Sequence, residues 1–297
     1  MTAVVSVVVP VYNGERTLAD CLRALQLQDL AKSDYEVIVV CDGSTDSSAT
    51  IAEGFNVRLL NETKRKGAPS ARNVGFRAAR GRWVAFTDHD CIPSRSWLRW
   101  LLQAVQSHNE NEKPLGAGGK TLGIQSNSSA ARFVDLAGGI DAEYHLKHPK
   151  FPFAPTANVM YLREALETVG GFDERYYSYD GCDLHYRLLR EFSGPFYLEP
   201  RGVVFHRHRE NWLDYCRQQF AHGQGFGQFF LNHGDQVEWS LWRELSAWGD
   251  LAKLGLRACS QGNDDEALVR RGSFLKDLAQ RLGFITTYWN RRERRRW

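Results

Sequence analysis

The chain opens on a nearly unbroken apolar run over residues 4–10, interrupted only by Ser6. A β-branched run of this kind reads as a strand buried on both faces. Leu18, Cys21, Leu22 and Leu25 then recur at helical spacing. The alternation continues with a strand over 36–41, a short helix capped within Ser44-Thr45-Asp46-Ser47, and a strand over 57–60. A helix over 70–79, ended by Gly81, and a strand over 83–87 complete the N-terminal third. Strands alternating with helices predict right-handed crossovers and an α/β fold on a parallel sheet. The middle third is less regular. It predicts strands over 116–120, 158–162 and 196–205, a turn at 170–174 before a Tyr-rich loop, and a helix over 183–192. From about Trp212 the pattern is helical to the end. Trp239, Trp242, Leu245, Trp248 and Ala252 form an apolar stripe, and a second helical segment covers 266–282.

The length of 297 residues suits one large α/β domain with an appendage, or two small domains. Apolar content of 43% and charged content of 25% point to an ordinary globular protein, neither disordered nor fibrous. A net charge of +3 is too small to imply nucleic acid, although Arg291-Arg292-Glu293-Arg294-Arg295-Arg296-Trp297 gathers positive charge at the end. The six cysteines show no CxxC or zinc spacing and read as reduced thiols of a cytosolic protein. The first apolar run has no basic residue before it and is too short for a signal peptide. No window reaches the roughly 18 apolar residues needed to span a bilayer. The expectation is a soluble cytoplasmic protein, attached at most to the inner face of a membrane.

The chemistry concentrates at predicted strand ends. Asp88-His89-Asp90 closes the strand over 83–87, ahead of a helix expected to open at Pro93. Two carboxylates one residue apart can chelate Mn²⁺ or Mg²⁺. With the cation bound, the sign of the site reverses and it can hold a diphosphate. Taken alone, the pair also suits a solvated turn or a helix cap. Pro10-Val11-Tyr12-Asn13 and Asp42-Gly43-Ser44-Thr45-Asp46 follow the first and second strands. Gly67-Ala68-Pro69-Ser70-Ala71-Arg72-Asn73-Val74-Gly75 opens the helix before the fourth. Ligands on parallel sheets bind at these carboxyl ends.

In this order and spacing the four segments resemble those of glycosyltransferase family 2, a nucleotide-sugar-dependent family with the GT-A fold. The resemblance covers about residues 4–210 and is strongest over 4–93. It implies a GT-A domain over 1–210, a mostly parallel sheet flanked by helices, followed by a helical C-terminal extension over 211–297 with a basic tail. It also implies roles. Asp42 would read the nucleotide base, usually uracil, by accepting its imide N–H. Pro10, Tyr12 and Asn13 would line the nucleoside pocket, with Asn13 equally a turn residue. Arg72 would contact phosphate or serve in a structural ion pair. Asp88 would approach the ribose or the metal, and Asp90 would be the firmest metal ligand. From His206-Arg207-His208, His206 is favoured by position as a further ligand. Asp180-Gly181-Cys182-Asp183-Leu184, with Arg187, resembles the family's Glu-Asp-x-Asp-Leu segment, whose second acid is the base of an inverting transfer. Gly181 stands at that position here. Asp180 is expected to serve through a one-residue shift. Asp183, which also suits a helix N-cap, is the alternative, and loss of activity is the third.

The function so implied is a metal-dependent, inverting hexosyltransferase that moves a sugar from a UDP-sugar to a hydroxyl of a glycan or lipid-linked acceptor, in polysaccharide biosynthesis. A sugar-1-phosphate nucleotidyltransferase would need a Gly-rich basic loop after the first strand, which residues 11–15 do not supply. A nucleotide-sugar binder without catalysis is motivated by Gly181. Nucleic-acid binding by the tail lacks a motif, and the glycines of 223–227 follow no strand. The tail, with Trp289 and Trp297, is expected to meet an anionic membrane surface.

Overall fold

The computed structural model describes residues 4–106, 113–148, 151–234, 241–259, 262 and 264–294. Strand β1 (Val5–Val11) is buried along its whole length, and its side chains divide by parity. Val5, Val7, Val9 and Val11 enter a core with Leu18, Cys21, Leu22 and Leu25 of α1 (Leu18–Gln26) and Trp97, Leu98 and Leu101 of α4 (Trp97–Gln106). Val8 points to the other face. There it joins Ile38 and Val40 of β2 (Tyr35–Asp42), Val84 and Phe86 of β4 (Trp83–Phe86), Phe76 of α3 (Ala68–Ala78), and Leu184 and Leu188 of α8 (Asp180–Glu191). Helices on both faces bury the sheet, which is why its strands read as continuous apolar runs.

The remaining strands are β3 (Arg58–Glu62), β5 (Cys91–Pro93), β6 (Gly116–Gly123), β7 (Val159–Leu162) and β8 (Phe196–His206). The eight strands run in the order β3-β2-β1-β4-β7-β6-β8-β5. Pairs β1–β2, β1–β4, β2–β3 and β6–β8 are parallel. Strand β7 is antiparallel to both its neighbours, and β5 is antiparallel to β8. Apart from β6–β8, the parallel pairs lie in the N-terminal third, where strands and helices alternate. The order reverses between β1 and β4, and that switch point opens a crevice at the carboxyl ends of these two strands.

Several boundaries differ from expectation. No helix opens at Pro93, which lies in β5 at the sheet edge, where proline is tolerated; α4 starts four residues later. Helix α8 starts at Asp180 rather than Asp183. The other helices are α2 (Ser48–Glu53), α5 (Ser129–Leu136), α6 (Ala142–Leu146), α7 (Arg163–Thr168), α9 (Trp212–His233), α10 (Leu241–Ala258) and α11 (Asp265–Arg294). Three of them, α5, α6 and α7, went unread in the irregular middle third because they have only eight, five and six residues, too few for a periodic signal.

The chain forms two compact units. One holds the sheet and comprises residues 1–124, 140–175 and 180–207. The other comprises 125–139, 176–179 and 208–297. It therefore takes in residues 125–139, 176–179 and 208–210, which the division at residue 210 leaves with the sheet. Within the second unit, α9 and α11 pack backbone to backbone. A Cβ at Gly223 would collide with the Gln280 carbonyl, and one at Gly283 with the Phe220 carbonyl. Of the glycines of 223–227, Gly223 and Gly227 thus serve packing on α11, and Gly225 a close approach of the Ser178 carbonyl. The stripe read along α10 is not its buried face: Leu245 is 53% exposed, Ala252 is exposed and Trp248 half-buried, while Leu251, outside the stripe, is buried. Trp239 lies outside the described residues. Among the described residues no helix is long and apolar enough to cross a membrane, and all six cysteines are free thiols.

Candidate active site

Asp88 and Asp90 leave β4 in a tight turn closed by the Cys91 N–H on the Asp88 carbonyl at 3.1 Å. Their side chains part. Asp88 Oδ1 accepts from Arg72 Nη2 at 3.0 Å, and Arg72 Nη1 donates to Asp180 Oδ2 at 2.8 Å. Arg72 is buried in the first turns of α3 and bridges the two carboxylates. Burial works against its charge, and Asp180 and Asp88 more than restore it. Its Nε has no hydrogen-bond partner among the described residues. For Asp180 the balance runs the other way. Desolvation raises its carboxyl above the ordinary value, and Arg72 only partly opposes the shift.

Asp90 turns instead toward the last residue of β8, with Oδ1 3.6 Å from His206 Nε2. Strand pairing sets this meeting. Cys91 lies directly opposite His206 in the β5–β8 ladder, and the Arg207 N–H donates to the Asp90 carbonyl at 3.0 Å. Ligand atoms of Asp90, Cys91 and His206 lie within 4.8 Å of one another. A carboxylate, an imidazole and a thiol, all at least largely buried, suit a divalent first-row cation. Asp88, expected to share the metal, does not join this group; its carboxylate is held by Arg72. His208, the less favoured histidine, pairs with Asp135 in the second unit, 3.1 Å away.

The residues expected to meet the nucleoside come from three loops. Asp42, the last residue of β2, is buried, and its two oxygens accept the N–H groups of Lys66 and Gly67 at 2.7 Å each. This ties the start of α3 to the end of β2. A carboxylate has lone pairs to spare beyond these two bonds. Gly43 beside it has φ 65°, and a Cβ there would stand 2.5 Å from the Arg65 backbone nitrogen, so the close approach needs glycine. Tyr12 is 36% exposed, and the Arg65 guanidinium lies over its ring at 4.0 Å. Asn13 has φ 51°, and its Oδ1 accepts from the Thr45 N–H at 2.9 Å. Pro10 sits inside β1, paired with Val40, and shapes the strand end without extending past it.

Asp183 stands apart from the cluster. It is 2% exposed and ion-paired with Arg187 at 2.8 Å. Arg187 also donates to the carbonyls of Val169 and Gly171 at 2.7 Å each. From the other side Asn73 grips the same turn, donating to the Phe172 carbonyl and accepting its N–H, both at 2.8 Å. Gly181 packs close, where a Cβ would meet Thr156 Cγ2 at 2.8 Å. An acid at that position would require Thr156 to move.

Three contributors went unread in the sequence. His89 Nδ1 meets Thr17 Oγ1 at 2.8 Å, which joins the Asp88–Asp90 turn to the loop after β1. Ser48 accepts the Gly14 N–H at 2.8 Å. Cys91 enters the ligand group through β5, a three-residue strand that no hydrophobic period announces.

A curled, mixed eight-stranded sheet, with acids at the ends of β2 and β4 and Asp90 beside a histidine at the end of β8, defines a GT-A-type fold. A family model of glycosyl transferase family 2 matches residues 6–170. This protein belongs to glycosyltransferase family 2. Similar proteins include the glycosyltransferase AglE of Haloferax volcanii, 29% identical over 76% of this chain and 74% of its own length. The pre-mycofactocin glycosyltransferase of Mycobacterium tuberculosis is 30% identical over 78% of this chain, which spans about half of that protein (49%). Among solved structures, the Pyrobaculum calidifontis mannosyltransferase in complex with GDP-Man and Mn²⁺ has a TM-score of 0.67 at 19% identity, over 98% of this chain and 88% of that one. The Staphylococcus aureus TarS fragment 1–349 in complex with UDP has a TM-score of 0.56 at 19% identity, over 97% and 91%. At such identities the likeness is one of fold.

Proposed function

We propose that this glycosyltransferase is inverting, and that it moves a sugar from a uridine diphosphate donor to a hydroxyl of a glycan or lipid-linked acceptor. The observation that carries the reading is the Asp88–Arg72–Asp180 bridge. It sets a buried carboxylate, with its pKa pushed upward, beside the aspartate pair at the switch point.

Asp90 and His206 are the residues that would hold Mn²⁺ or Mg²⁺. The cation would supply Lewis-acid stabilisation of the charge on the departing diphosphate. Asp42 reads the base, with its carboxylate oriented by the Lys66 and Gly67 amides, and Tyr12 and Asn13 flank the nucleoside. Asp180 is the general base. The acceptor oxygen attacks the anomeric carbon on the face opposite the diphosphate. Its proton passes to Asp180, and the bond from that carbon to the diphosphate oxygen breaks. As Asp180 is neutralised, Arg72 keeps Asp88 as its counter-ion, so no buried charge is left unpaired. UDP in the TarS complex supports the uridine reading. GDP-Man in the Pyrobaculum complex makes GDP the deciding competitor.

A nucleotide-sugar panel read by thermal shift, with and without Mn²⁺, tests the proposal. UDP-sugars should raise Tm only with the cation, and acceptor should then release UDP. Equal UDP affinity in EDTA and Mn²⁺ overturns the metal requirement. GDP displacing UDP more readily than UDP displaces itself overturns the uridine preference. Gly181 favours a second reading, a binder without catalysis, and donor binding with no turnover across a broad acceptor screen would establish it.

A further inference from the structure

We propose that His89 is a positioning residue: it fixes the span between the loop after β1 and the turn that bears Asp90, so that one nucleoside diphosphate is gripped at both ends at once. This rests on the reading of Tyr12, Asn13 and Asp42 as the nucleoside end and of Asp90 and His206 as cation ligands. The turn after β4 sends three successive side chains three ways. Asp88 goes to Arg72, Asp90 to His206, and His89 to the loop of residues 12–17. There His89 Nδ1 lies 2.8 Å from Thr17 Oγ1. The ring sits so close to Gly14 that a Cβ on that residue would stand 2.8 Å from Nδ1 and 3.1 Å from Cγ. Threonine at a helix N-cap ordinarily accepts an N–H of the first turn. Thr17 holds that position on α1, yet its side chain caps nothing. The hydroxyl is engaged instead with His89 and with the Gly14 carbonyl, 3.3 Å away. The same loop is tied on its other side to the loop after β2. The N–H groups of Asn13, Gly14 and Glu15 donate to Ser44 Oγ, Ser48 Oγ and Asp46 Oδ2 at 3.1, 2.8 and 2.9 Å. Residues 12–17 thus move with the nucleoside end, and His89 couples them to the turn of the cation site.

A nucleoside diphosphate meets the two ends with different parts of itself. With the span fixed, the second contact forms at the effective concentration that the first one sets. With the span loose, each end keeps its own affinity and the gain from joining them shrinks. The full chain gives the test, with UDP in Mn²⁺ followed by calorimetry and uridine followed by ligand-observed NMR, which registers millimolar binding. His89→Ala should lower UDP affinity about tenfold and leave uridine affinity within about twofold. Thr17→Val should act in the same direction. The double variant should bind UDP no worse than the weaker single variant, because both changes cut one link. An amide carries an oxygen and an N–H where the imidazole has Nδ1, so His89→Asn should recover most of the loss. UDP affinity unchanged in His89→Ala overturns the proposal. UDP and uridine affinities falling together also overturn it, since that is the mark of a loosened fold and not of a lost span. Losses that add in the double variant overturn the shared link. Wild-type UDP affinity equal in EDTA and Mn²⁺ overturns the cation reading and, with it, this proposal. If His89→Ala fails to fold, Thr17→Val, which removes only the hydroxyl's bonds, decides by the same comparison of UDP with uridine.

Discussion

Two aspartates three positions apart, Asp180 and Asp183, differ through what surrounds them. Asp180 meets Arg72 across the sheet's carboxyl edge, while Asp183 meets Arg187 one turn along its own helix. Asp180→Asn should lower kcat by about 10²–10⁴, the span of general-base catalysis, and leave donor affinity within about twofold. Steady-state kinetics beside donor calorimetry checks this, and unchanged kcat would refute the assignment. Asp183→Asn should instead cost about 2 kcal/mol in urea unfolding, because it leaves Arg187 without its counter-charge. Turnover per folded molecule should be retained. If Asp183→Asn abolishes turnover and Asp180→Asn does not, the base is Asp183. Asp90→Ala should abolish metal-dependent UDP binding and leave the circular dichroism spectrum unchanged. Binding that survives in Mn²⁺ would remove Asp90 from the ligand set.

At the scale of elements, α3 carries the site because it lies hard against β1. Gly75 permits that seat: a Cβ there would collide with Val8 Cγ1, in the core on that face of the sheet. Arg72 and Asn73 sit one turn earlier and reach Asp180 and Phe172 only if α3 stays close. Gly75→Val should destabilise by about 1–3 kcal/mol through overpacking and weaken donor binding in the surviving folded fraction. Urea unfolding with calorimetry on the same preparation reads both effects, and a variant as stable as the wild type would show that the seat is soft. The short strand β5 has a comparable role. Its three residues fix Cys91 and Asp90 against His206, although they bury little surface of their own.

At the scale of the whole molecule, pH and surface charge give the measurable consequences. His185 is buried under Tyr161 and Phe196, and desolvation holds its pKa down at about 3. In the unfolded chain a histidine titrates near 6.5. As pH falls below about 6.5, the unfolded state takes up a proton that the folded state refuses, so stability declines toward about pH 3. The slope is about 1.4 kcal/mol per pH unit for this one proton, with no contribution above 6.5. His185→Phe should remove one proton's worth of that slope, measured by urea unfolding across the acid range; an unchanged slope would show that His185 does not titrate on unfolding. The basic segment 291–296 motivates a second expectation, with its side chains outside the described residues. The full chain should float with anionic vesicles at low salt, and a chain ending at Tyr288 should not. Equal behaviour of the two chains would reduce the tail to solubilising charge.

Apolar periodicity and strand-end chemistry in the sequence determined the order of the first four strands, the helices between them and the edge of the sheet where acids collect. These signals are local: alternation has a period of two or 3.6 residues, and a strand buried on both faces needs an unbroken apolar run. Tertiary structure alone decided which acid faces which partner. Asp88 pairs with Arg72 and Asp90 with His206, although the two aspartates are one residue apart, because a tight turn sends their side chains different ways. Asp183 was withdrawn from the site by Arg187, and Cys91 was brought beside it by pairing with a strand more than a hundred residues further along the chain. Such meetings depend on long-range register and on burial. Neither leaves a periodic trace in the sequence around the residues concerned.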